Sequence, residues 1–139
     1  MQGKIIIKGR AEGEALVSTE PLSFWGGYDY RTGEIIDRRH PLSGCIGAGR
    51  ILALPFTRGS CGTPAVLLEA ICGGTAPAAV LTTRVDAFFT LAFIVADEIF
   101  KRSIPLIALE PADFATLQTG DWISVDEDGT IKRESRGTR

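Results

Sequence analysis

The chain has 139 residues, 45% of them hydrophobic and 23% charged, enough apolar side chains for one compact core, so global disorder and two separately packed domains are excluded. Fifteen Lys plus Arg against seventeen Asp plus Glu leave a net charge of −2, without the cationic field that nucleic-acid phosphates require. The longest nearly apolar run, Ala87 to Ala96, is about half of the ~20 residues of a membrane-spanning helix, so neither a nucleic-acid nor a membrane partner is expected.

The opening Met1-Gln-Gly-Lys-Ile-Ile-Ile-Lys8 stops its apolar stretch after three residues and leads into no signal-peptide core, which points to a cytoplasmic protein. Short strand-like runs follow at Lys4 to Lys8, Glu14 to Ser18, Gly33 to Asp37 and Arg50 to Leu54, separated by Gly and Pro. Thr63-Pro64 then predicts a helix start, with Thr63 as cap and Pro64 in the first turn, where its missing N–H costs nothing. Gly73-Gly74 ends that helix. Ala78 to Thr82 reads as a buried strand, and Asp86 as the cap of a second helix reaching about Arg102. The apolar residues of that helix, from Phe88 to Phe100, cover most of its circumference, so it should be buried on more than one side or meet a partner. Lys101 and Arg102 suit its last carbonyls.

Ile104 to Leu109 is a further core strand, and Pro111 to Gln118 a short helix or turn. Trp122 to Val125 pairs with Thr130 to Lys132 across Asp126-Glu-Asp-Gly129 as a hairpin. Residues 1–134 form the predicted domain and 135–139, with no apolar side chain, a frayed tail. The alternation of strand, helix, strand, helix, strand in the middle implies parallel pairing, with the flanking strands pairing among themselves. The class is α/β, a single mixed β/α domain with a mixed sheet or barrel and two main helices.

Pro55-Phe-Thr-Arg-Gly-Ser-Cys-Gly-Thr-Pro64, which joins a strand to a Pro-initiated helix, is the strongest candidate for chemistry. Such a loop presents free N–H groups and the positive helix end to a carboxylate or phosphate. Arg58 adds a forked cation, Gly59 and Gly62 allow close backbone approach, and Ser60 supplies an exposed hydroxyl. An ordinary tight turn would look the same locally. A self-contained serine hydrolase is disfavoured: the nucleophile elbow needs glycine where Arg58 stands, and the only histidine, His40, precedes Ser60. Asp37, His40 and Ser60 remain as a triad without a supporting motif. A second candidate is Phe24-Trp-Gly-Gly-Tyr-Asp-Tyr30 with Asp37, Arg38, Arg39 and His40. There Gly26 and Gly27 could lie against a flat or anionic ligand, or simply belong to a hairpin. Cys45, Cys61 and Cys72 lack metal-ligand spacing and read as reduced thiols.

Taken together, Ser23-Phe-Trp-Gly-Gly, Thr32-Gly-Glu-Ile-Ile-Asp-Arg-Arg-His-Pro, Arg58-Gly-Ser-Cys and Gly74-Thr-Ala-Pro-Ala-Ala resemble the small subunit of the aconitase X family over about residues 3 to 133. The resemblance implies a swivelling β/β/α domain that pairs with a large subunit. That large subunit carries an iron-sulfur cluster, and this chain alone binds no cofactor. It further implies a hydro-lyase (dehydratase) that is inactive without its large subunit, acting on a small hydroxy acid. Ser60 would be the catalytic base, and Arg58, Gly59, Cys61, Gly62, Gly26 and Gly27 would contact the substrate. The substrate expected is cis-3-hydroxy-L-proline, with mevalonate 5-phosphate as the alternative within the family and a non-catalytic anion-binding module as the alternative outside it.

Overall fold

The computed structural model describes residues 1–56 and 62–134. The elements, in chain order, are β1 (Lys4–Ile7), β2 (Ala11–Val17), α1 (Phe24–Gly27), β3 (Ile51–Ala53), α2 (Thr63–Gly73), β4 (Ala79–Thr82), α3 (Ala87–Glu98), β5 (Leu106–Ala108), α4 (Pro111–Phe114), β6 (Trp122–Val125) and β7 (Ile131–Glu134). Seven strands form one mixed sheet in the order β1-β5-β4-β3-β2-β6-β7. The expected parallel unit is present: β3, β4 and β5 run parallel, crossed by α2 and α3, and β2 joins them parallel to β3. The flanking strands β2, β6 and β7 pair among themselves as expected, β6 with β7 as the predicted hairpin, whereas β1 departs from expectation. β1 lies antiparallel to β5, and β2 pairs with β6, so β1 and β2 sit far apart in the sheet.

Residues at the two ends of the sheet meet. Gln2 bridges Thr130, the Gly3 N–H donates to the Gly129 carbonyl at 3.0 Å, and the Ile131 N–H donates to the Met1 carbonyl at 2.7 Å. The sheet is therefore curled, with both faces buried, which is why its parallel strands are continuously apolar rather than alternating. Leu16, Leu52, Leu54, Val80 and Leu106 face α2 and α3 on the outside of the curl. Their neighbours Ala15, Ile51, Ala53, Leu81 and Ile107 face inward, where Phe114, Ile123 and Ile131 complete a second cluster.

Phe89 and Phe93 of α3 are fully buried against this frame, and Phe89 continues into an aromatic chain with Phe24 and Tyr28. Burial of each phenyl ring contributes roughly 1.5–3 kcal/mol. Asp86 caps α3 as predicted, its Oδ1 accepting the Phe89 N–H at 2.9 Å. The helix stops at Glu98, four residues short of Arg102, because Lys101 turns the chain into the left-handed region at φ 57°. Lys101 Nζ reaches back to the Glu98 carbonyl, whereas Arg102 Nη1 donates to the Ile71 carbonyl at the end of α2. Within this chain only one side of α3 is buried: Phe88, Leu91 and Ile94 on the helix, and Ile99 and Phe100 just after it, are exposed, which leaves the partner-facing alternative of the expectation.

Two local expectations need correction. Gly62, not Thr63, is the N-cap of α2; Thr63 is already helical and its side chain is buried. Gly33 to Asp37 does not form a sheet strand. It makes isolated bridges, Tyr28 with Ile35 and Glu34 with Ile46, within a long irregular excursion between β2 and β3. The predicted tail, 135–139, lies outside the described residues.

Candidate active site

Three connections leave the C-terminal ends of β2, β3 and β4 at one edge of the sheet, the edge where open parallel sheets bind ligands. The segment after β2 is tied to the end of β3 by the Ser18 N–H, which donates to the Ala53 carbonyl at 3.0 Å. The segment after β3 is tied to that after β4: the Leu54 N–H donates to the Leu81 carbonyl at 2.9 Å, and both the backbone N–H and the hydroxyl of Thr83 donate to the Pro55 carbonyl. The N-termini of α2 and α3 open at this edge, so the partial positive charge of two helix ends is directed to one place.

Of the predicted site residues, Arg58, Gly59, Ser60 and Cys61 lie outside the described residues. Their two flanks are described. On one side stands Phe56, with the Arg84 guanidinium over its ring at 5.6 Å from the centroid. On the other stands Gly62, against which the Trp25 indole is packed. The two candidate segments, from Phe24 to Tyr30 and from Pro55 to Pro64, are thus in contact through Trp25 and Gly62. Trp25 remains 63% exposed, and with Tyr30, Ala65, Val66 and Glu69 it lines an open cleft of about 230 Å³ along the first turns of α2.

The excursion that presents Trp25 is held from below. The Tyr28 hydroxyl donates to the Thr75 carbonyl at 2.6 Å, and the Thr75 hydroxyl donates to the Tyr30 carbonyl. Burial pushes the Tyr28 phenol well above its ordinary range. Gly33 closes the hairpin at φ +80°, and a Cβ there would stand 2.6 Å from the Ala48 methyl and 2.9 Å from the Thr75 carbonyl oxygen, so glycine is required twice over. Gly26 also has a positive φ, 81°, with open space around it, and Gly27 accepts the Ile36 N–H at 2.9 Å.

His40 points inward. Its Nδ1 accepts the Leu42 N–H at 3.1 Å, and its Nε2 faces the Glu20 carbonyl at 3.3 Å and Ser18 Oγ at 3.4 Å. Asp37 Oδ1 accepts the Arg39 N–H at 3.0 Å. Both groups therefore lock their own turns, and no Asp37–His40 relay exists among the described residues. Arg84 was missed in the sequence because no local motif marks it; its proximity to Phe56 arises only from the pairing of β3 with β4. Among the described residues no three His, Cys, Asp or Glu side chains converge as a metal site, and Cys45 and Cys72 are separate free thiols, so these residues do not fit a cluster.

A family model of the aconitase X swivel domain matches residues 1–133. The chain belongs to the aconitase X swivel-domain family. It is 51% identical over 106 residues to a cis-3-hydroxy-L-proline dehydratase of Pseudomonas aeruginosa, a match covering 76% of this chain and 18% of that protein. A protein of the same name from Hypocrea jecorina is 40% identical over 136 residues, 98% of this chain and 23% of that one. The chain thus spans about a fifth of the length of these two relatives. It matches nearly the whole of shorter ones: the phosphomevalonate dehydratase small subunit of Methanothermobacter thermautotrophicus is 34% identical over 126 residues, 90% of this chain and 92% of that one. The crystal structure of Thermococcus kodakaraensis aconitase X superposes with a TM-score of 0.84 at 31% identity, covering 96% of this chain and 97% of that one. The swivel-domain expectation is borne out, and the curled mixed sheet with its two long helices is the form that the domain takes here.

Proposed function

We propose that this chain is the small-subunit portion of a hydro-lyase that removes water from a hydroxy acid, with an active site completed by a larger polypeptide. The observation that carries the reading is the 51% identity to a hydroxyproline dehydratase, above the 31–36% found with the phosphomevalonate dehydratase small subunits, and it favours cis-3-hydroxy-L-proline as substrate. The full-length match to those small subunits favours a two-chain arrangement and keeps mevalonate 5-phosphate as the second candidate. An iron-sulfur cluster, if the enzyme uses one, belongs to the larger polypeptide in this reading, and no step by this chain passes through it. In this reading the site of action is cytoplasmic, which fits the free thiols Cys45 and Cys72.

Within that reading Ser60 is the base. Its alkoxide oxygen takes the proton from the acidic carbon beside the substrate carboxylate, the electron pair of that C–H bond forms the double bond, and the hydroxyl leaves the neighbouring carbon as water with a proton supplied from the larger polypeptide's side of the site. A serine alkoxide is stabilised by the N–H groups at the α2 N-terminus and by Arg58. Arg84 stands as a second cation at the same strand edge. Gly59, Cys61 and Gly62, with Gly26 and Gly27 across the Trp25 contact, bring backbone close to the substrate.

The test is co-expression with a candidate large chain, both substrates being assayed for water loss and for solvent-hydrogen exchange at the acidic carbon. Ser60→Ala is expected to cut turnover and exchange by about 10²- to 10⁴-fold while leaving the assembly intact. Undiminished exchange in Ser60→Ala would move the base to the partner.

A further inference from the structure

The two long helices treat solvent in opposite ways. α2 turns small or polar side chains outward, Ala65, Glu69 and Cys72, as an amphipathic surface helix should. α3 turns outward Phe88, Leu91 and Ile94, and the chain that follows it adds Ile99 and Phe100; each of these five is between 44% and 67% exposed. At 100° per residue Phe88, Leu91, Ile94 and half-buried Val95 fall within an arc of about 120°. Thr90 and Asp97 flank the stripe on one side, and Glu98 interrupts it at the end of the helix. The exposed apolar area is on the order of 500 Å², comparable to the largest patch a stable monomer carries and more than half of the ~800 Å² that one partner contributes to a standard interface.

We propose that this face of α3 is the seat of the larger polypeptide, an inference that rests on the shared-site reading above. Two observations select that occupant over a second copy of the chain. In the two hydroxyproline dehydratases the matching region is 18% and 23% of the protein, so most of each relative lies outside this domain and needs a surface on which to pack. The stripe also begins beside the candidate site: Phe88 is two residues from Asp86, the N-cap of α3, at the edge where the strand connections converge. A polypeptide that completes the site from that edge reaches Phe88 first, and continuing along the helix covers Leu91 and Ile94.

The experiment is co-purification and titration of the full-length chain with the candidate large chain co-expressed in the test above, using Leu91→Asp and Ile94→Lys. Ile46→Asp serves as an exposed apolar control elsewhere. The α3 variants are expected to weaken association at least 100-fold and to retain the wild-type far-ultraviolet circular dichroism, since both side chains point away from the core; Ile46→Asp should bind as wild type. Binding of both α3 variants at wild-type affinity would overturn the proposal. So would a wild-type chain that self-associates through this face, with variants that become monomeric yet still bind the larger polypeptide. If the wild-type chain forms no complex at all, the shared-site reading itself falls, an outcome distinct from a wild-type complex that the α3 variants leave intact.

Discussion

The Trp25 indole lies over Gly62 so closely that a Cβ at residue 62 would stand 2.8 Å from Cε3 and 3.0 Å from Cδ2. Gly62 has φ −85°, a conformation open to any residue, so the requirement for glycine comes from the ring and not from the backbone. Gly62→Ala is therefore expected to displace Trp25 while α2 still forms. In a Trp122→Phe background, where Trp25 is the only indole, its emission should shift, and turnover of the assembled enzyme should fall by about 10-fold or more, since small misplacements of binding groups are costly. Unchanged emission together with unchanged turnover would mean that the contact positions nothing.

Tyr28 gives the fold a specific alkaline weakness. Burial raises its folded-state pKa above the ordinary value of about 10, so in the unfolded chain the phenol ionises first. Above pH ~10 the unfolded state then binds fewer protons than the folded one, and stability falls as pH rises. Tyr28→Phe should lose about 1 kcal/mol at neutral pH with the hydrogen bond to Thr75, and should flatten the alkaline limb of stability. Urea titrations at pH 7 and at pH 10.5 measure both effects; an equally steep limb in the variant would assign it to another group.

The middle of the fold was readable because each signal there was local. Pro64 and Gly74 bound α2, Asp86 caps α3, and the apolar runs at 51–53, 79–82 and 106–108 are strands buried on both faces. What escaped was set by distant partners. β1 leaves β2 for β5 in the curled sheet, the Arg102 guanidinium reaches α2 while only its backbone N–H serves its own helix, and Gly33 packs against Ala48 and Thr75 where a ladder was expected. The candidate site divides in the same way. Glycines, serine and arginine crowded before a helix drew attention to the residue 55–64 connection, while Arg84 comes from a connection that only β-sheet pairing brings alongside.

Arg84 separates an electrostatic role from a packing role at that edge. It is exposed, contacts the Phe56 ring, and among the described residues pairs with no carboxylate. Arg84→Gln should leave thermal stability nearly unchanged and raise KM for an anionic substrate about 10-fold, with Arg84→Lys intermediate because charge is kept and the planar fork is lost. Added salt should weaken the wild type more than Arg84→Gln. A variant whose KM equals that of the wild type at low and high salt would confine Arg84 to its contact with Phe56.

His40 distinguishes a structural histidine from a catalytic one. The ring joins two turns, accepting from the Leu42 N–H through Nδ1 and facing Glu20 and Ser18 through Nε2, in a site only 7% exposed. His40→Ala leaves the Leu42 N–H without its acceptor and opens a gap, for an expected loss of about 2–3 kcal/mol. His40→Asn can place its side-chain oxygen near the position of Nδ1 but cannot reach Glu20, so it should recover roughly half of that loss. At about 3 °C per kcal/mol for a domain of this size, thermal melts resolve the two variants. Where the variants are folded, below their melting temperatures, turnover in the assembled enzyme should stay within about threefold of wild type, since no proton passes through His40 in the serine-base reading. A fully stable His40→Ala with turnover lowered by 10²-fold or more would reverse that assignment and return His40 to the reaction.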